Sequence, residues 1–124
     1  MDFWSFLALG LLVTALLVIG WGLFSPTHRL PAWTHRHDKI WHLTAFAGLA
    51  FLTQGVWLHA SAWLVWLALS LIGLLTEALQ ERYAAGRHFS WGDALANTLG
   101  AALGLLIASP LWRLTWQIHE VNLL

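Results

Sequence analysis

Charged residues fall in clusters separated by long apolar runs. No Asp, Glu, Lys or Arg occurs in the 26 residues between Asp2 and Arg29, the 37 between Lys39 and Glu77, or the 19 between Asp93 and Arg113. A helix spans a bilayer with about 20 apolar residues, so the first and last runs each predict one crossing. The middle run would measure about 55 Å as one helix at roughly 1.5 Å per residue. That is too long for one crossing, and the run is interrupted at His59-Ala60-Ser61. It therefore predicts two helices. The expected spans are residues about 3–24, 39–57, 62–80 and 92–109. Trp collects at bilayer interfaces, and here Trp4 and Trp21, Trp41 and Trp57, and Trp91 and Trp112 bracket three spans while Trp63 opens the other. Trp66 fits this pattern less well. Two prolines in Ser25-Pro26-Thr27-His28-Arg29-Leu30-Pro31 exclude continuous helix there.

Composition agrees with this pattern. The 124 residues are 59% hydrophobic and 10% charged, against roughly a quarter charged in soluble domains. The expected fold is an all-α membrane protein, a single domain of four antiparallel transmembrane helices with its partner the lipid bilayer. Zero formal net charge gives no basic footprint for nucleic acid. The absence of Cys excludes a disulfide framework, a thiol nucleophile and a Cys-based zinc site. The first helix lacks the basic leader and cleavage pattern of a signal peptide and is expected to be retained.

Four antiparallel spans bring loops one and three to the same side, where nearly all ionisable residues gather: Arg29, Arg36, Asp38, Lys39, His42, Glu77, Glu81, Arg82, Arg87 and Asp93. The far side holds Asp2, His59, Arg113, His119 and Glu120. Gly73, Glu77 and Gln80 share one face of the third helix. Glu77 sits inside the apolar run, near a helix C-terminus and one turn from Glu81. Each of these disfavours a carboxylate, which implies a protonated acid or a dedicated cationic partner. Ionisable groups within membranes are costly and generally functional; the plainer alternative is a Glu that reaches out to the interface.

Ser90 and Asp93 resemble a capping box at the start of the fourth helix. Asn97, Gly100, Gly104 and Ala108 continue one stripe, suited to close helix packing and an interhelical hydrogen bond. Asp38 is a candidate N-cap of the second helix. His42 lies one turn on, a natural proton carrier near neutral pH. His35-x-His37 lacks the scaffold of a metal site, and no metal or cofactor is expected.

The second and fourth helices both present N-termini to this side, each favouring an anion. Lys39 and Arg87, with Arg36 or Arg82, form a cationic mouth over Asp38, Glu77 and Asp93. Such a mouth suits an anionic head group, phosphate first, with Glu77, His42 and Asp93 as candidate acid–base groups. Asp38, Lys39, Gln80, Arg87 and Asn97 are the candidate ligand-binding residues. Whether the protein is an enzyme is left open at this point.

The motifs D-K-x-x-H (Asp38 to His42), E-x-x-Q (Glu77 to Gln80) and R-x-x-x-x-x-D-x-x-x-N-x-x-G (Arg87 to Gly100) resemble the VanZ-like family of small bacterial integral membrane proteins. The similarity covers residues 38 to about 104. The resemblance implies a multi-pass protein of the cytoplasmic (inner) membrane and associates it with glycopeptide-antibiotic resistance; it supplies no reaction. Loops one and three carry five Lys and Arg against Arg113 opposite, which by the positive-inside rule faces the motifs inward. Lys39 and Arg87 belong to the motifs, however, and the family's pattern implies an extracytoplasmic motif face, which is the orientation expected. The functional expectation is binding or processing of an anionic lipid or lipid-linked envelope precursor. The alternative is a non-catalytic membrane partner or scaffold whose polar cluster is structural. The two differ in whether Glu77, His42, Arg87 and Asp93 leave an open pocket or pair off. Neither expectation specifies an oligomeric state.

Overall fold

In the computed structural model, residues 1–33 and 37–123 are described, and their order is α1 (Phe3–Phe24), a 3-10 turn (Thr27–Arg29), α2 (Asp38–Val56), α3 (Ala62–Tyr83) and α4 (Trp91–Leu123). Among the described residues all regular structure is helical, in four membrane-protein helices. Helices α1, α3 and residues Trp91–Thr115 of α4 are long and apolar enough to cross a membrane on their own. Helix α2 is not. It packs against all three others, most extensively α4, and its His42 and Gln54 side chains are buried in protein.

Local chemistry explains the boundaries. Asp2 caps α1, its Oδ1 accepting from the Ser5 N–H at 2.8 Å. The Ser25 hydroxyl donates to the Trp21 carbonyl at 2.5 Å where α1 ends before Pro26. Asp38 is not an N-cap: it is the first residue of α2, and His37 holds the cap position without a side-chain hydrogen bond. Its carboxylate is thereby released for tertiary contacts. Gly86, with φ of 79°, takes the left-handed conformation in the turn between α3 and α4. Helix α4 continues past Pro110 to Leu123 rather than ending near residue 109. Proline is tolerated in membrane helices where neighbours re-satisfy the freed backbone.

Phe46, Leu49 and Ala50 of α2 meet Val65 and Leu69 of α3, Ala101 and Leu105 of α4, and Leu12 of α1 in the core. The outward side chains, among them Phe6, Leu17, Leu71 and Leu106, are apolar and exposed, as a lipid-facing surface requires. Trp66 donates from Nε1 to the Thr98 carbonyl of α4 at 3.1 Å, which accounts for its place away from a span end. Helices α2 and α4 approach closely: a Cβ on Gly100 or Gly104 would fall within the Leu43 or Ala47 backbone.

Candidate functional site

Three helix segments converge at one end of the bundle: the first turn of α2, the last two turns of α3 and the first two of α4. The expected i, i+4 stripe of α3 is buried in full, Gly73, Glu77 and Gln80 included. On α4, Asp93 and Asn97 are buried, and on α2 so is His42.

His42 is the hub. Its Nδ1 lies 2.8 Å from Asn97 Oδ1 and 3.5 Å from Glu77 Oε1. Its Nε2 lies 3.8 Å from Asp38 Oδ1 and 3.9 Å from Asp93 Oδ2. Asn97, with no exposed surface, also donates from Nδ2 to the Gly73 carbonyl at 3.5 Å and so ties α2, α3 and α4 together. Asp93 combines two roles. Its backbone N–H donates to Ser90 Oγ at 3.2 Å, half of the expected capping box. Its carboxylate turns away and accepts from Lys39 Nζ at 3.0 Å.

Glu77 is 1% exposed. Its Oε2 accepts a long hydrogen bond of 3.4 Å from the Ser90 N–H, while its buried Oε1 has no hydrogen-bond partner. The expected cationic partner is therefore neither Lys39 nor Arg87; the nearest ionisable contact is His42. Arg87 reaches Asp38 Oδ1 at 3.5 Å and donates from Nη2 to the Gly22 carbonyl at 3.4 Å. Its Nε is buried without a hydrogen-bond partner. Gln80 donates to the Leu23 carbonyl at 2.7 Å. Arg87 and Gln80 thus occupy carbonyls that the last turn of α1 leaves without intrahelical donors.

The structure therefore brings together all eight candidate residues: Asp38, Lys39, His42, Glu77, Gln80, Arg87, Asp93 and Asn97. The cations do not form a free mouth above the carboxylates, because Lys39 and Arg87 are each matched to one. Arg82 turns to the ring of Tyr83, 5.9 Å from its centroid. Arg36 and His35 lie outside the described residues. The side chains of His42 and Glu77 are 2% and 1% exposed, against 65% for Lys39 and 32% for Asp38, so Lys39 and Asp38 form the exposed rim of a buried hub.

Two features escaped the sequence reasoning. The α1 carbonyls of Gly22 and Leu23 carry no sequence signal. At the opposite end, a cavity of about 460 Å³ is lined by Gln54, His59, Ser61, Ser109, Trp112 and Arg113 among others. Gln54 Nε2 donates to the Trp57 and Ala60 carbonyls, each at 3.1 Å, and so closes the α2–α3 turn. A lone amide in an apolar run could have flagged it.

No family model matches the chain, and no curated protein sequence or solved structure matches it either.

Proposed function

We propose that the protein is a VanZ-like membrane protein of the bacterial cytoplasmic membrane that binds or processes an anionic amphiphile at the interface end of its polar cluster. The amphiphile is a phospholipid head group or a lipid-linked envelope precursor, consistent with a part in glycopeptide resistance. One observation carries this. Glu77 Oε1 and Arg87 Nε are buried without hydrogen bonds within a cluster that is otherwise paired. Buried polar groups are ordinarily satisfied, and a network that served packing alone gains nothing from two vacancies. Lys39, mostly exposed, and Arg87 offer the anion its first contacts. Glu77 Oε1, 3.5 Å from His42 Nδ1, then forms a pair suited to holding or passing a proton.

The pairing favours a second reading. With Lys39 on Asp93, Arg87 on Asp38 and Gln80 on Leu23, the cluster also works as helix glue in a scaffold, and the cavity described above lies at the other end. Lipid analysis of the purified protein separates the two. Anionic lipid is expected to co-purify with the wild type and with Arg113→Ala. It is expected to fall roughly tenfold or more in Arg87→Lys, which keeps the charge but loses the planar fork. Equal lipid in all three establishes the scaffold.

The motif face is proposed to be extracytoplasmic. Ala85→Cys, in the exposed α3–α4 turn of this Cys-free chain, is expected to react with an impermeant thiol reagent in intact cells. Labelling only after lysis reverses the orientation.

A further inference from the structure

Asn97 determines which nitrogen of His42 carries hydrogen. Its Nδ2 donates to the Gly73 carbonyl, which turns its Oδ1 toward His42 Nδ1 at 2.8 Å. An amide oxygen only accepts, so Nδ1 is the donor and Nε2 of the neutral ring is a bare lone pair. That lone pair faces Asp38 Oδ1 at 3.8 Å and Asp93 Oδ2 at 3.9 Å. A lone pair directed at two carboxylates from a side chain 2% exposed is repulsive in a low-dielectric setting. A proton on Nε2 relieves it through charge alone, because both oxygens lie beyond hydrogen-bond distance. A cation seated between the three atoms relieves it by direct ligation.

We infer that Asp38, His42 and Asp93 form a binding site for one divalent transition-metal cation at the membrane interface. Their ligand atoms all lie within 4.8 Å of one another. With gaps of 3.8 and 3.9 Å and no pair of ligand atoms beyond 4.8 Å, an ion equidistant from the three stands about 2.0–2.5 Å from each, at or just beyond zinc-class ligation. The surroundings fit as well. The hydrogen bond from Nδ1 to Asn97 is the support that a metal-bound imidazole ordinarily has. Lys39 holds Asp93 through Oδ1 and leaves Oδ2 facing His42, while Arg87 contacts Asp38 at Oδ1 itself, 3.5 Å away. Glu77 lies at the Nδ1 edge of the same ring, 3.5 Å away, with its buried Oε1 lacking a hydrogen bond, and adds a third carboxyl group to the cluster. The carboxyl groups of Asp38, Glu77 and Asp93 outnumber the cationic side chains of Lys39 and Arg87 around the ring. An imidazole ligand selects Zn²⁺ or a similar borderline ion over Mg²⁺, and three protein ligands leave a position open. This site goes beyond the anion reading and does not depend on it, since the three ligands hold a cation whether or not an anion follows.

The test uses the full chain purified in detergent, stripped with chelator and titrated with ZnCl₂, with MgCl₂ as control. The expected result is one tightly bound equivalent of Zn²⁺ per chain and no comparable Mg²⁺ binding. His42→Gln and Asp93→Asn are each expected to weaken Zn²⁺ by more than tenfold. Asn97→Ala, which removes the positioning hydrogen bond, is expected to weaken it by roughly 10–100-fold. Arg113→Ala retains the equivalent. Because a ligand variant can misfold, the histidine ¹⁵N spectrum of the wild type supplies a second measurement: Zn²⁺ should shift Nε2 of His42 while Nδ1 stays protonated. The inference is overturned by no stoichiometric Zn²⁺, by both nitrogens of His42 protonated in the presence of Zn²⁺, or by full binding in His42→Gln and Asp93→Asn. Equal co-purifying lipid in the wild type and Arg87→Lys would remove the anion reading and leave the Zn²⁺ result standing.

Discussion

Glu77→Gln is expected to abolish the proposed effect on envelope lipids while leaving the protein folded. Glu77 is almost completely buried, its single hydrogen bond is a long one from the Ser90 N–H, and Oε1 has none. Gln is nearly isosteric and neutral. It keeps an acceptor for Ser90 and removes a charge that the interior pairs poorly, a change that is often neutral or stabilising. Stability in detergent should therefore change by no more than about 1 kcal/mol. A group that holds or passes a proton is not replaced by an amide, and removing general acid–base assistance typically costs roughly 10²–10⁴-fold. Cells making Glu77→Gln should match cells without the protein in lipid composition and glycopeptide sensitivity. Full retention of the effect, or unfolding of the variant, defeats the acid–base role and leaves Glu77 as helix glue.

The helices were legible because the cost of placing charge in a bilayer spaces charged residues along the chain. The first apolar run corresponds to α1, and the break at His59-Ala60-Ser61 lies between α2 and α3. The fourth span was expected to end near residue 109, but α4 continues through Pro110 to Leu123, as proline permits in a membrane bundle.

The site was legible by residue and not by pairing. Asp38, His42, Glu77, Asp93 and Asn97 stand out as polar groups at the margins of apolar runs. Which of them meet depends on helix rotation and crossing, and those follow from packing rather than from charge spacing. Hence the expected anion mouth resolved into matched pairs of Lys39 with Asp93 and Arg87 with Asp38. The first helix looked inert because its contribution is backbone, the Gly22 and Leu23 carbonyls that receive Arg87 and Gln80. A loop-borne metal pair, His35-x-His37, drew attention by spacing alone, while the convergent set came from two helices 55 residues apart, His42 of α2 and Asn97 of α4 with their neighbours.

Gly104→Leu is expected to prevent assembly of the bundle. Helices α2 and α4 make the most extensive contact in the protein, and their backbones approach so closely that a Cβ at Gly104 meets the Ala47 carbonyl, just as one at Gly100 meets that of Leu43. Backbone cannot swing aside as a flexible side chain would, so the helices must separate. Even Gly104→Ala should cost on the order of 1–3 kcal/mol, the usual penalty for overpacking, and the isobutyl group of Leu exceeds what small shifts absorb. The damage should also reach the site. Gly104 lies one turn beyond Gly100 on the stripe that carries Asn97, and parting α4 from α2 separates Asn97 from His42 and Asp93 from Lys39. Gly104→Ala should therefore weaken Zn²⁺ as well as lower Tm. Gly48 is the control: it lies on α2 with nothing within 4 Å of an added Cβ. Gly48→Ala should be neutral or stabilising by roughly 0.5–1 kcal/mol, since Ala loses less conformational freedom in a helix. Thermal denaturation of the three variants in detergent reads the difference, and a wild-type Tm for Gly104→Leu would rule out the close α2–α4 approach.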